Sequence, residues 1–237
     1  MSIEHNRDLS ARLASLITST GIERVTEQQP VRWRHAAWQN HWQAHQLPGS
    51  HVLDELQEEY TAYGTIRRSF VFTYRDRDPV EFFIAVMAWG LGLDNRGPAK
   101  AGNILTVPGA PGTIKTVVDS VRQKGAAAGY SAYYSGPTLP QLNIAFITKL
   151  LYFAGYQETP RPRPLIYDNL VATAIIRLPD APLLPSVTEQ WIKVSFKAYE
   201  RYCCWAEQTA AAYGTEPTVV EWALFSLGQE IRAQLRA

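Results

Sequence analysis

The chain has 237 residues, 46% hydrophobic and 19% charged, a balance that supports a buried core and excludes a disordered or fibrous protein. Its net charge of +1 hides an asymmetry: residues 96–163 hold eight basic against two acidic residues, so this middle carries +6 and the remainder −5, a footprint suited to a polyanion on one face. The opening Met1-Ser-Ile-Glu-His-Asn-Arg-Asp8 has no secretion-signal pattern, and the longest apolar run, Phe82–Leu93, is too short to cross a bilayer, so a cytoplasmic protein without membrane partners is expected.

Taken in chain order, periodicity predicts a first helix over Asp8–Ser19. An aromatic stretch from Arg32-Trp-Arg-His-Ala-Ala-Trp38 to Trp42 follows, readable as core packing or as a pocket wall. All five histidines lie within the first 51 residues. His41 and His45 share a helical face, but no zinc motif accompanies them, and no metal or cofactor is expected. After a helix over Val52–Tyr63, Arg67 and Arg68 lead into Phe70-Val-Phe72 and are open between anion contact and ordinary surface placement. Asp78-Pro79 is an N-cap with proline in the first turn, opening Val80–Leu91. Helices over Pro98–Leu105 and Thr113–Ala127 flank the rigid turn Val107-Pro-Gly-Ala-Pro-Gly112, and Gly129–Gly136 reads as a small-residue loop carrying Tyr130, Tyr133 and Tyr134. Thr138-x-x-Gln141, Ser186-x-x-Glu189 and Thr218-x-x-Glu221 fit capping boxes ahead of helices over Leu139–Ala154, Thr188–Ala212 and Val219–Leu235. Between them, Thr159-Pro-Arg-Pro-Arg-Pro164 cannot be helical and must cross as an extended loop to a helix over Asn169–Arg177. Cys203 and Cys204 are adjacent, so they cannot staple distant segments and read as reduced thiols. The fold class is therefore all-α, as one domain whose core bundle spans about residues 66–180 and is closed by both terminal segments.

Two residues carry chemistry. Lys149 is the only charge between Leu142 and Tyr156. Burial among such neighbours disfavours the ammonium and favours the neutral amine that nucleophilic attack requires, whereas a snorkelling surface lysine is the bland reading. Nineteen positions later, the proline loop delivers Asp168 to a helix start, where a carboxylate is an ordinary cap or, facing an electron-poor carbon, a stabiliser of developing positive charge.

At these residues the chain resembles the bacterial helix-hairpin-helix DNA glycosylases with the 8-oxoguanine glycosylase fold. Phe146-Ile-Thr-Lys-Leu-Leu-Tyr-Phe-Ala154 and Pro164-Leu-Ile-Tyr-Asp168 are similar to that family's lysine-bearing and aspartate-bearing segments. Met87-Ala-Trp-Gly90, Arg96-Gly-Pro98, Tyr202-Cys-Cys-Trp-Ala206 and Glu221-Trp-Ala-Leu-Phe225 extend the likeness over about residues 66–228. The glycines usual before the lysine are replaced by Ala145, Phe146 and Ile147, which moves the expected phosphate-binding turn to Ser135-Gly-Pro-Thr138.

The resemblance implies two helical lobes flanking a cleft, a base swung out of double-stranded DNA, and its excision with Lys149 as nucleophile and Asp168 as assisting carboxylate. The intermediate is then resolved by β-elimination, or Asp168 guides water and leaves an abasic site. DNA contacts would fall to Arg96, Lys100, Tyr133, Tyr134, Arg161 and Arg163, the tyrosines as wedges in the stack. The substrate is 8-oxoguanine or, in an antiphage branch, a hypermodified phage base such as glucosylated 5-hydroxymethylcytosine. No obligate protein partner is indicated. A non-catalytic helical DNA-binding module and a helical protein-interaction domain are the competing readings; a solvated lysine favours the first of these and a recessed one favours catalysis.

Overall fold

In the computed structural model, residues 3–137, 139–157, 160–179, 181, 187–188, 191–192 and 194–236 are described. The most apolar sequence forms the centre. Asp78 accepts a hydrogen bond from the Val80 amide, Pro79 occupies the first turn, and α6 (Pro79–Leu91) then buries every residue from Phe82 to Trp89. A helix apolar on all sides must be surrounded. It packs against α4 (Ser50–Tyr63), α5 (Arg68–Phe72), α7 (Gly97–Leu105), α8 (Ala110–Lys124) and α10 (Ile144–Gly155). α1 (Ile3–Ser19) and α2 (Ile22–Thr26) lie against α13 (Pro217–Gln234), which also covers α11 (Asn169–Ile175) and α12 (Phe196–Ala212). The hydrophobic core runs without a break from Leu9 to Ile231. No helix of the described residues is long and apolar enough to cross a membrane.

The architecture is all-α as expected, with thirteen helices among the described residues and one short antiparallel ladder, β1 (Val187–Thr188) on β2 (Trp191–Ile192). The aromatic stretch takes the core-packing reading: it runs into α3 (His35–Ala44), and Trp33, Trp38 and Trp42 pack in the interior as tilted pairs with centroids 5.1 and 5.3 Å apart.

Several element boundaries differ from expectation. Gly125 adopts φ +86°, which ends α8 and restarts the chain as α9 (Ala126–Ser135), so the tyrosine segment is a helix and not a loop. α10 starts at Ile144, after Gln141 turns the chain with φ +65° and the Asn143 side chain accepts from the Ala145 amide. Ala145, Phe146 and Ile147 are thus in its first turn, and α9 ends at Ser135. Thr138 lies outside the described residues, as do Ser186 and Glu189. The helix expected from Thr188 begins only at Phe196, where Ser195 accepts from the Ala198 amide.

Candidate active site

Lys149 and Asp168 are brought together by a series of hydrogen bonds between side chains and an extended backbone. Thr148 Oγ1 donates to the Ile144 carbonyl (2.9 Å) and accepts from the Tyr167 amide (2.9 Å). Tyr199 donates to the Leu165 carbonyl (2.7 Å) and Tyr202 to that of Ile166 (3.0 Å). Residues 165–167 are thereby fixed between α10 and α12 without a sheet. The neighbours of Thr148 and Tyr167, Lys149 and Asp168, must then face each other, and Lys149 Nζ lies 3.9 Å from Asp168 Oδ2.

Asp168 uses its two oxygens differently. Oδ1 caps α11, accepting from the Leu170 and Val171 amides at 2.9 and 3.1 Å, while Oδ2 is the oxygen nearest the amine. The cap fixes the carboxylate's orientation; the second oxygen is left to act on Lys149.

Lys149 is recessed, with 8% of its surface exposed. Its Nζ donates to the Ala145 carbonyl at 3.3 Å, and its stem runs past Gly90, where a Cβ would come within 2.8 Å of Lys149 Cδ. Burial draws the amine below its usual proton affinity, Asp168 and Glu221 oppose that shift, and Arg68 adds to it.

The other two charges of this set were misread in the sequence. Arg68 is no surface residue: it is 1% exposed, and its Nη1 donates to Glu221 Oε2 at 2.7 Å and to Thr218 Oγ1 at 3.1 Å. Thr218 and Glu221 therefore form no capping box. The N-cap of α13 is Glu216, which makes no side-chain cap bond, and the Thr218 hydroxyl pairs instead with the Tyr152 hydroxyl at 2.9 Å. A signal for Glu221 was present: like Lys149, it is the single charge in a long apolar helical stretch, Pro217–Leu227.

The expected DNA-contacting residues are placed variously. Arg96 and Arg161 project, their side chains 83% and 75% exposed, and Tyr134 presents its ring to solvent. Lys100 is paired with Asp94 at 2.6 Å. Tyr133 lies in the core, its hydroxyl donating to the Leu139 and Leu142 carbonyls that shape the hairpin. Arg163 ties the proline loop to α12 and α13 through Glu207 (3.3 Å) and Glu216 (2.6 Å). Among the described residues no cluster of three or more His, Cys, Asp or Glu side chains is arranged to hold a metal ion.

The all-helical fold is that of the class of protein that the sequence resembles. The model of the family described as "Putative 8-oxoguanine DNA glycosylase OGG-like protein" matches residues 24–225, and the chain belongs to that family. No curated protein and no solved structure matches it.

Proposed function

We propose that this protein excises a modified base from double-stranded DNA, with Lys149 as nucleophile and Asp168 as the carboxylate that serves it. The observation that carries the reading is the 3.9 Å approach of a buried amine to the free oxygen of a cap-fixed carboxylate. A lysine meant for phosphate contact would be solvated, whereas Lys149 is not, and burial favours its neutral, nucleophilic form. The target nucleotide is swung out of the duplex, because a stacked base shields its glycosidic bond. The Lys149 amine attacks the anomeric carbon, the bond to the base breaks with its electron pair leaving on the base, and the departing base takes up a proton. Asp168 offsets the positive charge that develops at the sugar and accepts the proton that the amine sheds. The sugar ring then opens, its C1′–O4′ bond breaking and O4′ taking up a proton to give the imine, and loss of a C2′ proton expels the 3′-phosphate and nicks the strand. Arg96 and Arg161 supply phosphate contacts, and Tyr134 is the ring available to enter the stack.

Duplexes carrying a single 8-oxoguanine or a single glucosylated 5-hydroxymethylcytosine test the reading and separate its two substrates. Release of one of these bases, with covalent capture of the protein on that DNA under borohydride, is the expected result. Loss of both in Lys149→Ala is expected too; unchanged capture by that variant would remove the nucleophile assignment.

A further inference from the structure

Arg68 and Glu221 are each 1% exposed and are joined by two contacts, Nη1 to Oε2 at 2.7 Å and Nη2 to Oε1 at 3.5 Å. Packing alone does not call for such a pair, since two apolar side chains of similar volume often stabilise a core as well or better. Its surroundings point elsewhere. Gln29 Oε1 accepts from Arg68 Nε at 2.7 Å, and the guanidinium lies 5.1 Å from the ring centroids of both Tyr152 and Trp89. Tyr152 follows Lys149 by one turn of α10, and Trp89 precedes Gly90, whose missing side chain makes room for the lysine stem. The ion pair is therefore packed against Tyr152, one turn along from Lys149, and Trp89, next to the glycine that the lysine stem passes.

Resting on the reading of Lys149 as nucleophile, we propose that the Arg68–Glu221 pair positions that amine: Glu221 is a second, interior counter-charge, and Arg68 is the fixed cation that holds Glu221 in place. The charges acting on Lys149 come from three other elements: Asp168 at the start of α11, Glu221 on α13 and Arg68 on α5, while Tyr167 and Tyr202 border Asp168. Burial pushes the Glu221 carboxyl upward, and Arg68 works against this. At Lys149 the Glu221 carboxylate favours the ammonium and Arg68 opposes it, so removing the carboxylate alone is expected to lower the pH at which the amine becomes nucleophilic.

A duplex containing one abasic site tests this without knowledge of the base. Its sugar aldehyde condenses with the lysine amine, water leaves, and cyanoborohydride reduces the imine to a stable secondary amine. The trapping rate follows the neutral fraction of the amine, so its midpoint on the pH axis reports the proton affinity of Lys149. Glu221→Gln keeps a hydrogen bond to Arg68 but leaves the cation uncompensated, and its midpoint is expected to fall by about one pH unit. The double variant Arg68→Met/Glu221→Leu removes both charges, avoids an unpaired buried ion, and is expected to fall by less, between Glu221→Gln and wild type. Should Glu221→Gln not fold, the double variant decides. A purely structural pair leaves the midpoint at its wild-type value while the unfolding temperature changes, and that result overturns the inference but not the reading of Lys149. Wild-type protein that does not trap, or Lys149→Ala that does, overturns the reading and the inference with it.

Discussion

Asp168 holds two roles in one side chain, and substitution can separate them. Asparagine keeps an oxygen for the Leu170 and Val171 amides but carries no charge; alanine loses both. Asp168→Asn keeps the cap but removes the counter-charge of Lys149, so it should lose less stability than Asp168→Ala yet excise base at least ~100-fold more slowly. Asp168→Ala should be equally slow and also less stable by about 1 kcal/mol. Gly90 is a second such point. A Cβ there would meet Lys149 Cδ at 2.8 Å and Phe146 Cε1 at 3.3 Å, and the lysine stem is the group able to move. Gly90→Ala is expected to lower excision by roughly 10- to 100-fold, because a displacement of about 1 Å at a reacting atom is enough for that. Its stability should change by less than about 1 kcal/mol, and calorimetry beside single-turnover kinetics checks both. At this scale the sequence was readable wherever one charge stood alone in an apolar helix, which identified Lys149. The same signal at Glu221 was obscured by Thr218 three residues earlier, a spacing that also fits a cap, and nothing local to either residue announces a partner at Arg68.

Among the elements, α11 and α13 matter most to the site, since α11 carries Asp168 at its start and α13 carries Glu221. They cross where Gly228 approaches the backbone of α11, and a Cβ at Gly228 would lie 2.1 Å from the Leu170 carbonyl oxygen and 2.7 Å from its carbon. Backbone cannot yield as a side-chain tip can, so Gly228→Ala must push the helices apart. A loss of about 3 kcal/mol is expected, lowering the unfolding temperature by roughly 6–12 °C, with excision falling further than stability alone explains. Gly112, in the first turn of α8 with open space around it, is the control: Gly112→Ala should leave activity unchanged and add up to about 1 kcal/mol of stability. Helix starts were legible where a cap and a proline coincide, as at Asp78-Pro79. They were missed where apolar periodicity continues through a break, because the left-handed conformations of Gly125 and Gln141 are set by how α8, α9 and α10 pack and not by the residues flanking them.

Across the whole molecule, folding redistributes the basic middle of the chain. Lys100, Lys115, Arg122 and Arg163 are engaged by Asp94, Asp119, Asp76 and the pair Glu207 and Glu216, so charge counted along the sequence overstates what faces a polyanion. The core, by contrast, follows the sequence closely, because apolar periodicity alone determines which faces must be covered. Several departures from that rule gather around the site: a buried lysine, a buried ion pair, and the Trp89 Nε1 and Tyr167 hydroxyl, both buried without a hydrogen-bond partner among the described residues; others, Trp33 Nε1 and the buried Glu59, lie elsewhere. Each opposes stability, and for Lys149 the sign can be worked out. Burial lowers the proton affinity of the folded amine below its ordinary value of 10.5, so between the two values the unfolded chain binds more protons than the native one and stability rises with pH. The penalty is present in full below the folded value and disappears above 10.5. Lys149→Met fills similar space, cannot charge, and leaves Arg68 with Glu221 as a neutral pair. The variant is expected to be more stable than wild type at pH 7 by about 1 kcal/mol, unfolding ~2–4 °C higher while excising nothing. Its advantage should shrink as the pH rises from the lowered value of the folded amine to 10.5. An advantage that held constant over that range would place the destabilisation in the packing of the lysine stem against Gly90 and Phe146 rather than in its charge.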